Sequence, residues 1–211
     1  MALTQPKVSI IIPVYGVECY IEKCTRSLFE QTLEELEYIF VDDCSPDKSV
    51  EVLQQVMKKY PHRKEQVIII RQPKNMGAAK AREVGMKAAH GEYIIHCDSD
   101  DWTESDMYRT MYEKAISQNS DIVVSMYSED RHGEEPKIIS QDFGLDPLRT
   151  IIGEPFKCSL FNKLVKRSVV APSIMEYPAY HMMEDYTICV QIFSRAKCVD
   201  YVDKSLYHYC M

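Results

Sequence analysis

Apolar runs alternate with amphipathic stretches over the first 127 residues. Val8 to Val14 (VSIIIPV) is apolar but for Ser9, the kind of strand that a parallel sheet buries on both faces. Val17 to Thr32 follows with Val17, Ile21, Cys24, Leu28 and Phe29 on one helical stripe. Leu36 to Val41 predicts a second strand. Ser45 has the chemistry of an N-cap, Pro46 suits a first helical position, and Asp47 suits the first turn of that helix. The helix continues through Val50, Leu53, Val56, Met57 and Tyr60 until Pro61 stops it. Val67 to Ile70 is a third strand, and Gly77 to His90 a third helix that Gly91 ends. Tyr93 to Cys97 is a fourth strand. Thr103 then caps a helix that turns Met107, Tyr108, Met111, Tyr112 and Ala115 inward, and Asp121 to Tyr127 is a fifth strand. Strands alternating with helices predict an α/β fold with a mostly parallel central sheet flanked by helices. In such sheets ligands sit beyond the carboxyl ends of the strands.

The pattern weakens after Tyr127. Ser128 to Gly153 is polar and reads as loops and short elements. Phe156 to Ser168 (FKCSLFNKLVKRS) holds a helical piece, Asp185 to Ala196 is an amphipathic helix, and Cys198 to Val202 is a last strand. The division is therefore residues 1–127 as an α/β half and 128–211 as a smaller C-terminal region of the same domain. The 32 acidic and 25 basic residues give a net charge of −7, which lacks the footprint of a duplex nucleic-acid binder. Met1 to Lys7 carries no apolar signal segment, and no run approaches the ~20 residues of a membrane span. The eight scattered cysteines form no CxxC pair and read as reduced thiols, so a cytoplasmic protein is expected.

Two predicted strands end in carboxylates. The second runs into VDDCSPD, with Asp42 and Asp43; the fourth runs into CDSDD, with Asp98, Asp100 and Asp101. Turn formation by Asx hydrogen bonds explains one of the first pair, and hardly both together with the second cluster. Three carboxylates within four residues repel one another unless a cation or free solvent relieves them. Carboxylate oxygens suit hard divalent ions, with substrate phosphates completing the shell. A third acidic pair, Glu184–Asp185, opens the C-terminal helix, where the dipole alone would favour it. Between the clusters lies NMGAAKAR, in which Gly77 permits close backbone approach and Lys80 and Arg82 bring positive charge.

Together these pieces resemble an inverting family-2 nucleotide-sugar glycosyltransferase with the GT-A fold. The residues that carry the resemblance are VSIIIPVYG (Val8–Gly16), SLFEQT (Ser27–Thr32), VDDCSPDKS (Val41–Ser49), NMGAAKARE (Asn75–Glu83) and GEYIIHCDSDD (Gly91–Asp101). FNKLVKRS, Glu184–Asp185 and LYHY (Leu206–Tyr209) complete it. The resemblance implies that Pro13, Val14 and Tyr15 wall the nucleotide, with Asn75, Gly77, Lys80 and Ser99 also on the donor side. It implies that Asp43 accepts a hydrogen bond from the base, as uracil N3–H would offer. Asp98 would contact the ribose and the metal, and Asp100 would be the main ligand of Mn²⁺ or Mg²⁺. Asp101 would support the acceptor side, Asp185 would be the catalytic base, and Glu184 would orient or touch the acceptor. A helix N-terminus would lower the Asp185 pKa. The family usually has Gly where Cys44 stands and Asn where Glu83 stands. The implied partners are a nucleoside-diphosphate sugar, a UDP-sugar first, and a glycan or lipid-linked saccharide acceptor. Peripheral association with the inner membrane face would suit such an acceptor.

The histidines and aromatics add little alone. His96 reads as packed within its strand, and His181 and His208 as structural or surface residues. Trp102 and the tyrosines offer sugar-stacking faces, though packing is the simpler role. The rival readings are a metal-dependent phosphoryl-transfer or receiver-like domain, a nucleotidyltransferase and a non-catalytic carbohydrate-binding module. The phosphatase pair would follow the first strand, whereas CDSDD follows the fourth. A receiver leaves Glu184–Asp185 unexplained. A nucleotidyltransferase needs a glycine-rich basic loop where PVYGVECY stands.

Overall fold

Both faces of β1 (Val8–Val14) are apolar, and this strand lies within the sheet rather than at its edge. The computed structural model describes residues 5–131, 133–141, 146–153, 158–171, 173, 175–177 and 183–211. Ile10 and Ile12 face one hydrophobic cluster with α1 (Ile21–Phe29), α2 (Ser49–Met57) and α4 (Met107–Gln118). Ile11 faces the other, with α3 (Ala78–Ala88) and α6 (Glu184–Arg195). Each fully buried Ile contributes about 1.5–3 kcal/mol relative to an exposed one, so both layers hold the strand. Gly85 lets α3 approach closely: a Cβ there would lie 2.5 Å from Ile11 Cγ2.

The remaining strands are β2 (Leu36–Asp42), β3 (Val67–Arg71), β4 (Tyr93–His96), β5 (Trp102–Thr103), β6 (Ile122–Asp130), β7 (Lys137–Ile139), β8 (Lys163–Lys166) and β9 (Val199–Cys210). Their order is β3-β2-β1-β4-β8-β6-β9-β5, with β7 on β6. The pairing makes β1, β2, β3, β4, β6 and β9 co-directional, and β5, β7 and β8 run against them. The mostly parallel sheet expected from the apolar runs is therefore present. The chain order reverses between β1 and β4, which is the switch point where such sheets open a crevice.

Several boundaries differ from expectation. Ser45 does not cap α2, which starts at Ser49; its hydroxyl donates instead to Val14 O at 3.3 Å, and its N–H donates to Asp42 Oδ1 at 2.8 Å. Asp47 lies ahead of the helix rather than in its first turn. Its Oδ1 accepts from Ser49 N and Oγ, and its Oδ2 from Glu18 N. Thr103 belongs to β5, paired with Tyr207, and α4 starts four residues later. The helical piece expected within Phe156–Ser168 is β8 followed by a 3-10 turn (Arg167–Val169) where it is described; residues 156 and 157 lie outside the described residues. The last strand is twelve residues long, not five, because β9 runs alongside β6 as far as Cys210 and carries β5 on its other edge at Tyr207 and His208.

Candidate active site

The carboxyl ends of β1, β2 and β4 and the start of α3 meet around one open cleft of about 580 Å³. Pro13, Val14 and Tyr15 form one wall, Asp43, Asn75 and Gly77 a second, and Asp98, Ser99 and Asp100 a third. These nine residues, all assigned to the donor or the metal by the resemblance, thus share a single cavity, and Arg82 lines it too. Lys80 does not line it, because its ammonium pairs with Glu83 at 2.6 Å. The same Glu83, which stands where the family usually has Asn, also takes Lys87 at 2.5 Å.

Asp43 is buried, and its carboxylate is fixed by three N–H donors. Oδ1 accepts from Gln72 Nε2 at 2.6 Å and Met76 N at 2.8 Å; Oδ2 accepts from Gly77 N at 2.7 Å. Gly77 adopts φ +87°, a conformation that costs a side chain dearly and glycine little. Cys44, at φ +60°, holds a left-handed turn where the family's Gly would be at ease. Gln72 was not singled out in the sequence. It follows β3 with no motif of its own, and only the parallel register of β2 and β3 brings it to Asp43.

Arg82 is the second residue that the sequence understated. It is 5% exposed, and its Nη2 donates to Asp98 Oδ1 at 2.9 Å. Its Nη1 lies 3.2 Å from Asp185 Oδ1 and 3.8 Å from Glu184 Oε1. Burial opposes the charge, yet Asp98, Asp185 and Glu184 outweigh it and hold the guanidinium pKa above its ordinary value. One arginine on α3 therefore ties the β4 end to the start of α6. The spacing of NMGAAKAR was visible, but not the inward rotation of that side chain.

The expected acidity of Asp185 is corrected. Burial pushes its pKa up to about 6, against the lowering by Arg82, so the helix start does not make it a stronger acid. Met183, immediately before the helix, takes φ +60°. Asp101 is also corrected as an acceptor-side group. It is 1% exposed and faces inward, with Oδ2 accepting from Tyr207 Oη at 2.6 Å and Oδ1 from Cys210 N at 2.8 Å. Burial raises its pKa to about 8. Asp100 is exposed on the cleft, with its pKa raised by burial and then by Asp98.

Trp102 is not a free sugar platform. His208 stacks on it at 3.4 Å, and Lys23 Nζ lies 4.2 Å from its ring centre. His208 also contacts Asp130, Glu104 and Ser128. His96 is buried as expected, and Tyr209 lines the cleft. His181 lies outside the described residues.

A Rossmann-like sheet with a nucleotide-sized cleft and acidic strand ends is the architecture of GT-A glycosyltransferases. Residues 9–171 match the family model Glycosyl transferase family 2, and the chain belongs to that family. The match does not favour the phosphoryl-transfer or receiver alternative. EpsH of Bacillus subtilis (strain 168), named as a glycosyltransferase, is 32% identical over 214 residues, covering 97% of this chain and 60% of its own. The poly(ribitol-phosphate) beta-glucosyltransferase of Bacillus spizizenii is 31% identical over 208 residues, covering 96% of this chain and 32% of its own. The fold matches S. aureus TarS 1-349 in complex with UDP at a TM-score of 0.82 and 23% identity, over 97% of this chain and 60% of that one. A mannosyltransferase from Pyrobaculum calidifontis in complex with GDP-Man and Mn²⁺ matches at 0.72 and 15%, over 97% of this chain and 57% of that one. The chain thus spans about three-fifths of EpsH and of the TarS fragment.

Proposed function

We propose that this chain is the donor-binding and catalytic part of an inverting glycosyltransferase. It takes a sugar from a nucleoside diphosphate, a UDP-sugar first, and passes it to a glycan or lipid-linked saccharide acceptor. The carrying observation is the single cleft at the β1/β4 switch point that joins Asp43, Gly77, Asp98 and Asp100. Asp43 keeps an acceptor-only carboxylate in place for a ring N–H of the base. Residues 1–127 form the donor half, and 128–211 bring Asp185 to the acceptor side.

A divalent ion fits Asp98 and Asp100. Among the described residues Asp100 has no ion pair, and no group of three or more metal-ligating side chains stands together. Mg²⁺ and Mn²⁺ sites often need only one or two carboxylates beside substrate phosphates. When bound, such an ion supplies Lewis-acid neutralisation of the leaving diphosphate. Asp185 takes the proton from the acceptor hydroxyl as that oxygen attacks the anomeric carbon from the face opposite the diphosphate. Its pKa of about 6 leaves it ionised at pH 7 and still basic enough to accept. Arg82 holds that carboxylate in place, and Glu184 orients the acceptor. Among the described residues no helix is long and apolar enough to cross a membrane. A lipid-linked acceptor would be met by peripheral association at the inner membrane face.

Calorimetry with UDP and Mn²⁺ tests the donor half. Asp100→Ala should remove the metal dependence, and an unchanged Mn²⁺–UDP affinity would refute the assignment. With a donor and acceptor pair in hand, Asp185→Asn should keep donor binding and lose turnover by roughly 10²–10⁴-fold. Glu184→Gln should do less. Parent-rate transfer by Asp185→Asn would place the base elsewhere.

A further inference from the structure

The acidic turn after β4 crowds the carboxyl groups of Asp98, Asp100 and Asp101, and the like charges of Asp98 and Asp100 tend to spread it. What opposes that spreading comes from the far end of the chain. The Tyr207 hydroxyl donates to Asp101 Oδ2 at 2.6 Å and accepts from the Asp98 backbone N–H at 3.0 Å. One buried oxygen thereby joins Asp98 to Asp101, which bracket Ser99 and Asp100. The ring that carries it is fully buried and stacked on Phe161, with centroids 4.2 Å apart and planes 7° apart. Cys210 N completes the grip on Asp101 Oδ1 at 2.8 Å. The pairing of Trp102 with His208 and of Thr103 with Tyr207 sets the register of this contact.

We propose that Tyr207 is a positioning residue for the acidic turn, holding Asp98 and Asp100 in the arrangement that receives a divalent cation and a donor diphosphate. Asp101 is then the anchor of the turn, not a group that meets the acceptor. The proposal rests on the nucleotide-sugar reading above. The hydroxyl suits this role because it satisfies a buried carboxylate and a buried N–H without adding a charge that would compete for the cation. The base-binding wall around Asp43 is built from different elements and does not touch Tyr207.

Tyr207→Phe keeps the ring stack and removes only the hydroxyl. Three measurements on the folded variant decide the matter: amide exchange over residues 97–102, Mn²⁺–UDP affinity by calorimetry, and metal-free uridine affinity by NMR titration. The expected result is faster exchange in the turn, Mn²⁺–UDP binding weakened by about tenfold, and uridine binding within about twofold of the parent. Mn²⁺–UDP affinity within twofold of the parent would overturn the proposal. So would an equal loss for uridine, which would mean a general loosening. If the parent binds no Mn²⁺–UDP, the nucleotide-sugar reading fails, and unchanged exchange in the variant would then separately overturn the positioning role. If Tyr207→Phe does not fold, Asp101→Ala removes the carboxylate that the Tyr207 hydroxyl grips and carries the same expectations.

Discussion

Arg82→Leu removes the cation that Asp98, Glu184 and Asp185 share. Deleting one partner of a buried ion pair generally costs about 3–5 kcal/mol, because the remaining charge stays desolvated. Here the carboxylate side chains are 29%, 21% and 32% exposed, so solvent relieves part of the loss. The low end, about 3 kcal/mol, is expected at pH 7.5. At about 2–4 °C per kcal/mol for a domain of this size, the midpoint should fall by roughly 6–12 °C. The loss should depend on pH with a definite sign. Without Arg82 the folded-state pKa of Asp185 rises further above its already raised value of about 6. A carboxyl raised in the folded state is favourable below its unfolded pKa and loses that advantage as pH rises through the folded pKa. The deficit of the variant should therefore be largest at pH 7.5 and shrink towards pH 5. Thermal and urea melts of parent and variant at both values test this. A midpoint change under 2 °C, or an equal deficit at the two values, would refute the shared-cation reasoning. Arg82→Lys should fall between, since one ammonium cannot meet both arms of the clamp.

Asp43→Ala should loosen the Gln72–Gly77 turn whose three N–H donors it satisfies, and weaken nucleotide binding by about 1–3 kcal/mol, since it removes a buried charged acceptor; calorimetry with UDP reads it, and an unchanged affinity removes Asp43 from the site. Arg63, 2% exposed, donates to the carbonyls of Phe29, Gln31, Leu33 and Glu34. Arg63→Ala takes a donor from each, although Glu34 O keeps Gln66 Nε2 and Leu36 N, and should cost at least about 3 kcal/mol in urea unfolding; a loss under 1 kcal/mol would mean that water replaces the guanidinium. His96 has its pKa lowered to about 3 by burial and then by the charge of Arg82. Its contribution to stability is present above pH 6.5 and is lost as pH falls towards 3, by up to about 1.4 kcal/mol per pH unit; His96→Leu should flatten that acid slope, and an unchanged slope would assign it to other groups.

What the sequence revealed followed from chemistry that is local along the chain. The run Val8–Val14 is apolar at every position but Ser9, so its burial on both faces was legible, and Asp43 marked the end of β2. Side-chain direction was not legible. Asp101 sits one residue from an exposed carboxylate, and only the return of β9 shows that it points inward. Ser45–Pro46 has good capping chemistry, but Asp42 and Asp47 take up the available N–H groups and shift the start of α2 to Ser49. Gln72 and Arg82 depend on pairings between elements far apart in sequence, which periodicity does not encode. The Asp185 pKa was misjudged for the same reason: the helix dipole is a local effect, whereas the burial that outweighs it is tertiary.

The distribution of charge in and around the cleft bears on the proposed metal. Asp43 is satisfied by three N–H groups, Asp98 and Asp185 share Arg82, and Asp101 is held by Tyr207 and Cys210. Each of these carboxylates has its partner within the protein. Asp100 differs, because among the described residues no cation stands against it, and it faces the open cleft. A carboxylate raised in pKa by burial and by a neighbouring Asp is destabilised in its charged form, and an external cation would relieve it most. The arriving diphosphate worsens that repulsion unless it comes with its own counter-ion. Electrostatics alone thus favours a donor and a divalent ion binding together over either binding alone. A Mn²⁺ titration in the presence and absence of UDP measures that coupling; equal Mn²⁺ affinity in both would show that Asp100 is simply solvated.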